Sequence, residues 1–257
     1  MVNELSVLLS AMRAAGNIIL DLQSKKIAIT TKKNNELVTE ADLKINQLLQ
    51  EKLLLVFRND AWLSEESIDD YARITAKRTW IVDPIDGTKE FAQGIPEYAI
   101  SVALVEKHQP IMSSVFNPAT NELFYAVKGK GAWLNDGRIY CQQTQTNKLS
   151  LLASRSEFER GEWEKFKNHD VKIMGSIAYK LALIARGDAH ATFSLGAKNE
   201  WDVAAGVLLV TEAGGKVANK YGAPLQFNQT NLTVNGIVAT TSHVYAKIFD
   251  LIKDSVF

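Results

Sequence analysis

One cysteine, Cys141, stands in 257 residues, so no internal disulfide can staple the chain, and it suits a reducing compartment. Prolines number only 5, and no Pro/Gly/Ser-rich stretch marks a linker between separately folded units. Neither sign of charge is in excess. Lys+Arg and Asp+Glu both total 29, which excludes the global basic footprint of a protein that grips DNA or RNA by its phosphates. No uninterrupted apolar run approaches the roughly 18–20 residues of a membrane span. The apolar N-terminal stretch is broken by Glu4 and Arg13, and its Leu5, Leu8, Met12 and Ile19 follow helical spacing. It therefore reads as an amphipathic first helix rather than a signal peptide. These absences leave a cytoplasmic globular chain with an ample core, whose anionic partners would be small and held at a local site.

Helices are expected over about residues 4–22 and 42–57, the second with Ile45, Leu48, Leu49, Leu53 and Val56 on one face. Residues 24–35 are polar, hold four lysines and show no period; a mobile loop or ragged hairpin is expected there. Strands are expected at 80–82, 98–105, 111–116, 123–127 and 132–134, with turn signals at Gly129-Lys130-Gly131 and Asn135-Asp136-Gly137. From about Thr146 the pattern alternates: strand 149–153, helix 177–185, strand 191–195, helix 201–212, strand 237–240 and helix 243–253. The fold class is thus α/β, with an antiparallel-rich α+β first lobe (residues 1–145) and an α/β second lobe (residues 146–257) closing a ligand cleft. The four histidines fall in turns, loops or helix starts without partners at ligand spacing, and surface positions are expected for them.

The informative segment is Thr79-Trp80-Ile81-Val82-Asp83-Pro84-Ile85-Asp86-Gly87-Thr88-Lys89-Glu90-Phe91. Asp83 is expected to end a strand, because Pro84 cannot continue the ladder. That turn frees the Ile85 carbonyl and brings Asp86 round to face Asp83. Two carboxylates and a backbone oxygen are hard ligands of the kind that suits Mg²⁺. Gly87 admits a ligand close to the backbone, and the amides of Gly87 and Thr88 open a short helix, an arrangement that attracts anions. A metal beside an amide cradle specifies a phosphoryl group, whereas a plain Asp-Pro/Asp-Gly turn needs neither both acids nor the threonine. Three further acidic elements accompany it: Ser64-Glu65-Glu66-Ser67, Glu200-Trp201-Asp202-Val203-Ala204-Ala205-Gly206, and Val38-Thr39-Glu40-Ala41-Asp42. Taken singly, each has an ordinary structural explanation: a charged loop, an acid complementing a helix dipole, and a capping box.

Together, in this order and from Leu37 to about Gly215, the four elements resemble the inositol monophosphatase superfamily, the lithium-sensitive Mg²⁺-dependent phosphatases. The resemblance implies a layered αβαβα sandwich, usually a homodimer. It implies Glu65, Asp83, the Ile85 carbonyl, Asp86 and Asp202 as ligands of two Mg²⁺ ions. Thr88, with Asp42 and Glu65, would form the catalytic group that orients and activates water for hydrolysis of a small phosphorylated metabolite. A possible third Mg²⁺ turns on a lysine that such phosphatases carry before the Val-Thr-x-x-Asp motif; by spacing it falls on Thr31, with Lys32 and Lys33 beside it. Haloacid-dehalogenase phosphatases carry a similar Asp-x-Asp-Gly-Thr string, but with one residue between the acids, where this chain has Pro84 and Ile85. A non-catalytic metal-dependent binding protein would leave Thr88 and Asp42 without a purpose.

The substrate is less legible. Leu195 lies seven residues before Asp202, where inositol-specific members carry a hydroxyl-binding acid. Lys89-Glu90-Phe91 after Gly-Thr resembles the bisphosphate nucleotidase branch, and Lys180 and Lys198 lie where that branch places basic residues. Surface lysines would occupy the same positions. Gly175-Ser176-Ile177-Ala178 resembles both branches. The phosphate and substrate contacts implied are Asp86, Gly87, Thr88, Ser176, Lys180 and Lys198. The expected reaction is 3'-phosphoadenosine 5'-phosphate to AMP and phosphate, with inositol or another sugar monophosphate as the alternative.

Overall fold

The computed structural model describes residues 4–23, 29–31, 37–141 and 148–255. Most of the 24–35 segment, including Lys32 and Lys33, lies outside the described residues. Helix α1 (Glu4–Gln23) is followed by a short antiparallel pair, β1 (Ile29–Thr31) with β2 (Leu37–Thr39), and by α2 (Glu40–Val56). Next come β3 (Ala61–Ser64), β4 (Arg78–Asp86), α3 (Thr88–Ala92), β5 (Ala99–Glu106), β6 (Gln109–Asn117), β7 (Glu122–Val127), β8 (Gly131–Leu134) and β9 (Gly137–Ile139). Strands β3 to β9 form one seven-stranded sheet in chain order, parallel only between β3 and β4. The remainder runs β10 (Ser150–Ser154), α4 (Arg155–Glu159), β11 (Asp170–Met174), α5 (Ile177–Arg186), β12 (Ala191–Ser194) and β13 (Lys198–Asn199). It closes with α6 (Glu200–Glu212), β14 (Gly215–Ala218), β15 (Thr233–Val234), β16 (Ile237–Thr241) and α7 (Tyr245–Ile252). A five-stranded sheet, in the order β11-β10-β12-β16-β14, is parallel around β10 and antiparallel around β16.

Period-two alternation stacks these elements into five layers. On β4 and β5, Trp80, Val82, Ile100, Val102 and Leu104 face α1 and α2, while Ile81, Ala99 and Ala103 face α5 and α6. In the second sheet Leu152, Ile237 and Ala239 face the same middle helices, while Leu151, Ala153, Phe193 and Val238 pack with Ile248 and Ile252 of α7. Helix α6, pressed between two sheets and against α5, is apolar nearly all round. A Cβ on its Gly206 would sit 2.4 Å from Leu181, which explains the small residues there. Helix α1 has the length and composition to cross a membrane, but it buries Leu8, Ala11, Met12, Ala15 and Ile19 in the core.

Several expectations change. Strand β4 does not stop at Asp83: the ladder shifts register between Asp83 and Asp86 and resumes with Asp86 opposite Ala99. A bulge accommodates Pro84, which has no N–H to donate, without ending the strand. Strand β11, missing from the sequence reading, is a half-exposed edge strand (Asp-Val-Lys-Ile-Met) whose single neighbour demands little apolar surface. His190 is buried rather than on the surface, its Nδ1 accepting from the Ser150 N–H at 2.9 Å. Cys141 is also buried, and burial pushes its thiol up to about 12, which keeps it unreactive.

Candidate active site

The end of β4, the beginnings of α3, α5 and α6, and the ends of β10 and β12 enclose a cavity of about 540 Å³. Glu65, Asp83, Ile85, Asp86, Gly87, Thr88 and Asp202 line it, and Ser176, Lys180 and Lys198 complete the opposite wall. Every expected site residue therefore borders one space except Asp42. That residue is buried behind Thr88, with its Oδ1 3.4 Å from Thr88 Oγ1.

Local chemistry fixes each group. The Asp83 Oδ1 accepts from the Ile85 N–H at 3.0 Å, an Asx turn that holds the bulge. Thr88 Oγ1 lies 2.9 Å from the Ile85 carbonyl, closer than Asp42, so the hydroxyl proton goes to that oxygen and its lone pairs remain for an incoming group. Asp86 Oδ2 accepts from the Ser176 hydroxyl at 2.7 Å and the Ala178 N–H at 2.6 Å, which docks the β4 turn onto the start of α5. Asp202 is both cavity residue and capping residue: its Oδ2 accepts from the Asn199 N–H at 3.1 Å. Ser101 on β5 donates to the Trp201 carbonyl at 3.1 Å, tying the α6 start to the large sheet.

The electrostatics are those of crowded acids. Burial, then the charges of Glu65, Asp86, Asp202 and Asp42, hold the Asp83 carboxyl well above its usual range. Burial, then Asp86 and Glu65, do the same to Asp202. Burial also raises Asp86, against the opposing pull of its bonds from Ser176 and Ala178. No three His, Cys, Asp or Glu side chains among the described residues close to ligand distance of one point. Asp86 and Asp202 instead spend oxygens on protein donors, Ser176 and Ala178 for the first and Asn199 for the second. The set nonetheless fits a hard divalent cation: all donors are oxygens, and several carboxylates share a buried space without matching positive charge. Lys180 does not supply that charge at the surface. It is buried rather than exposed, its Nζ donating to the Met174 and Gly175 carbonyls at 3.4 and 3.3 Å, and burial lowers it to about 8 against the pull of Asp86 and Glu157.

Sequence reasoning missed Arg155 and Glu157, which also line the cavity. Arg155 pairs with Glu90 at 3.3 Å and Glu97 at 2.5 Å, bridging α4 to the segment after β4. Glu157 is buried, accepts from Ser194 at 2.5 Å and lies 3.5 Å from Lys198. The signal was present: Arg155-Ser156-Glu157 is a charged triplet directly after the apolar run of β10.

Protonation of the acids makes stability depend on pH in a stated direction. Asp83 and Asp202 have raised values, and burial raises Glu200 to about 7. A raised carboxyl contributes stability below its unfolded value and loses it as pH rises through the folded one. Asp69, lowered by its Arg73 hydrogen bonds, acts oppositely, but only as pH falls through the carboxylate range. Stripped of divalent cations, the protein should melt about 5 °C higher near pH 5 than near pH 8, and Mg²⁺ should remove most of that gap. Thermal melts in chelator and in Mg²⁺ check this; a melting temperature that rises with pH in chelator contradicts it.

A layered sandwich with acids and helix starts converging on one polar cavity suits the chemistry of a phosphoric monoester hydrolase. The inositol monophosphatase family description matches residues 2–256, and the chain belongs to that family, which is generally metal-dependent. It is 33% identical to the Nus factor SuhB of Xylella fastidiosa over 85% of this chain and 82% of the relative. It is 31% identical to the 3'(2'),5'-bisphosphate nucleotidase CysQ of Aggregatibacter actinomycetemcomitans over 86% of each. The Thermotoga maritima IMPase superposes with a TM-score of 0.86 at 25% identity, covering 98% of this chain and 96% of that one.

Proposed function

We propose that this family member is a cytoplasmic Mg²⁺-dependent phosphomonoesterase that prefers a substrate with two phosphates. The substrate would be of the 3'-phosphoadenosine 5'-phosphate type, cleaved to AMP and phosphate. Glu65, Asp83, the Ile85 carbonyl, Asp86 and Asp202 would hold two Mg²⁺ ions. When bound, these ions would supply Lewis-acid activation of water and neutralise phosphoryl charge. The chain's own groups do the positioning. The amides of Gly87 and Thr88, which open α3, would face the phosphoryl oxygens, and the Thr88 lone pairs would orient water, with Asp42 behind them. Ser176 contributes by keeping Asp86 in place.

The observation supporting a second phosphate is Lys198, a partly exposed ammonium in the same cavity as the acids, seated 3.5 Å from Glu157. Lys180 also lines the cavity, but its ammonium donates to the Met174 and Gly175 carbonyls, so it contributes mainly positive field. Leu195, in place of a hydroxyl-binding acid, fits the same reading. Phosphate release in Mg²⁺ should give a kcat/KM for 3'-phosphoadenosine 5'-phosphate at least tenfold, about 1.4 kcal/mol, above inositol 1-phosphate and fructose 1,6-bisphosphate. Lys198→Met should lower the bisphosphate value about tenfold and the inositol value less than about threefold. Equal rates on all three substrates would refute the nucleotidase reading. One observation favours the alternative of an inositol or sugar monophosphate: Glu157 brings a buried carboxylate to the cavity wall, and carboxylates accept from sugar hydroxyls.

A further inference from the structure

Away from the cavity, the largest buried charged side chain is Arg73, in the connection between β3 and β4. All three guanidinium nitrogens are engaged. Nε and Nη2 donate to Asp69 at 3.0 and 2.7 Å, and Nη1 donates to Asn228 Oδ1 at 2.8 Å and to the Gln229 carbonyl at 3.1 Å. Asn228 returns the bond, its Nδ2 donating to the Arg73 carbonyl at 3.0 Å. The backbone N–H groups of Asn228 and Gln229 then donate to the two oxygens of Glu200, at 2.5 and 2.9 Å. Glu200 is wholly buried at the first position of α6. Asn228 holds a left-handed backbone at φ 58, a conformation asparagine tolerates better than most residues.

The two ends of this chain of bonds sit beside the two acids that come from opposite halves of the polypeptide. Asp69 lies four residues after Glu65, and Glu200 two residues before Asp202. The Glu65 segment is also tied on its other side, since Asn46 of α2 donates to the Ser67 hydroxyl at 3.0 Å and the Glu65 N–H donates to Val82 at 3.2 Å. Burying an arginine and a glutamate in one unit carries a desolvation cost that their hydrogen bonds must offset. A hydrophobic contact of similar volume would join these segments at no desolvation cost. What the polar bracket adds is fixed direction, because each hydrogen bond constrains both distance and angle.

We infer that the Arg73–Asn228–Glu200 bracket is a positioning device that sets the separation of Glu65 from Asp202, and through it the affinity of the site for divalent cations. The inference rests on the metal-dependent phosphatase reading above. Its test is a Mg²⁺ titration of the chelator-treated protein, followed by the melting temperature and, separately, by phosphate release. Asn228→Gly keeps the left-handed backbone accessible and removes only the side-chain bonds to Arg73; Arg73→Met removes the hub. Both should raise the half-saturating Mg²⁺ concentration about tenfold in each readout, with turnover at saturating Mg²⁺ within about threefold of wild type. Arg73→Lys should recover part of the shift. Glu212→Gln serves as the control for a general loss of stability. Glu212 accepts from the Gly129 and Gly131 N–H groups at 2.8 Å, and it pins a distant hairpin. The control should lower the melting temperature without moving the Mg²⁺ midpoint. An unchanged midpoint in Asn228→Gly, or an equal shift in Glu212→Gln, would overturn the bracket. If Arg73→Met does not fold, Asn228→Gly carries the test alone. A wild-type protein indifferent to Mg²⁺ in both readouts would instead overturn the metal-dependent reading itself.

Discussion

Asp83→Asn should lower phosphate release by about a thousandfold, roughly 4 kcal/mol of transition-state stabilisation, while making the metal-free protein harder to melt. The two effects share one cause. Asp83 is buried among Glu65, Asp86, Asp202 and Asp42, whose charges, after burial itself, hold its carboxyl well above the usual range. In the absence of a cation that arrangement is unfavourable, and a neutral amide relieves it. Asparagine keeps the oxygen that accepts from the Ile85 N–H at 3.0 Å, so the Asx turn survives. The gain in metal-free stability should be on the order of 1–2 kcal/mol, read as a rise in melting temperature in chelator. The same substitution should abolish most of the stabilisation by Mg²⁺. A variant that loses activity and stability together would mean that Asp83 is a structural residue and its acidity incidental.

The second large effect is expected at Gly87→Ala. Gly87 has φ 93, and a Cβ there would lie 2.9 Å from the Glu97 carbonyl and 3.3 Å from Ser176 Cβ. The first obstacle is backbone and cannot rotate away, while the second belongs to the residue that clamps Asp86. Left-handed geometry costs alanine about 1–2 kcal/mol, and the clash must also push the β4 turn off α5. Stability should fall by about 3 kcal/mol. Phosphate release should fall by about a hundredfold, since displacement by an ångström of groups that position a substrate has that consequence. Gly94→Ala provides the comparison. It has φ 70 with nothing within 4 Å of its would-be Cβ, so it should lose some stability and little activity. Matching losses at the two glycines would show that strain alone, and not the contact with Ser176, decides the outcome.

Much of the site was legible because its residues are close in sequence. Asp83 to Thr88 span one turn, and two acids separated by a proline and an isoleucine, then a glycine and a threonine, have few other uses. The long helices and the central strands were legible for a related reason: their periodicity extends over enough residues to outweigh local noise. What was less legible depends on neighbours distant in the chain. Strand β11 carries an alternating Asp-Val-Lys-Ile-Met that looks like loop until β10 lies beside it. Lys180 reads either as a substrate contact or as a surface lysine on a helix, and only the packing of α5 between two sheets buries it. Pro84 reads as the end of a strand because sequence shows the missing N–H but not the bulge that accommodates it.

The sequence by itself determined the set of available groups: hard oxygen donors beside a glycine turn and a hydroxyl, in a chain with one cysteine and no net charge. It could do so because the types and spacing of those residues restrict what they can bind. The tertiary structure alone decided which acids share a cavity, that Thr88 bonds first to Ile85 and only more distantly to Asp42, and that Arg155, Glu157 and the Arg73 bracket border or brace the site. Those outcomes depend on contacts between residues up to 156 positions apart. Their geometry is set by how two sheets and the helices between them pack, and no local pattern encodes it.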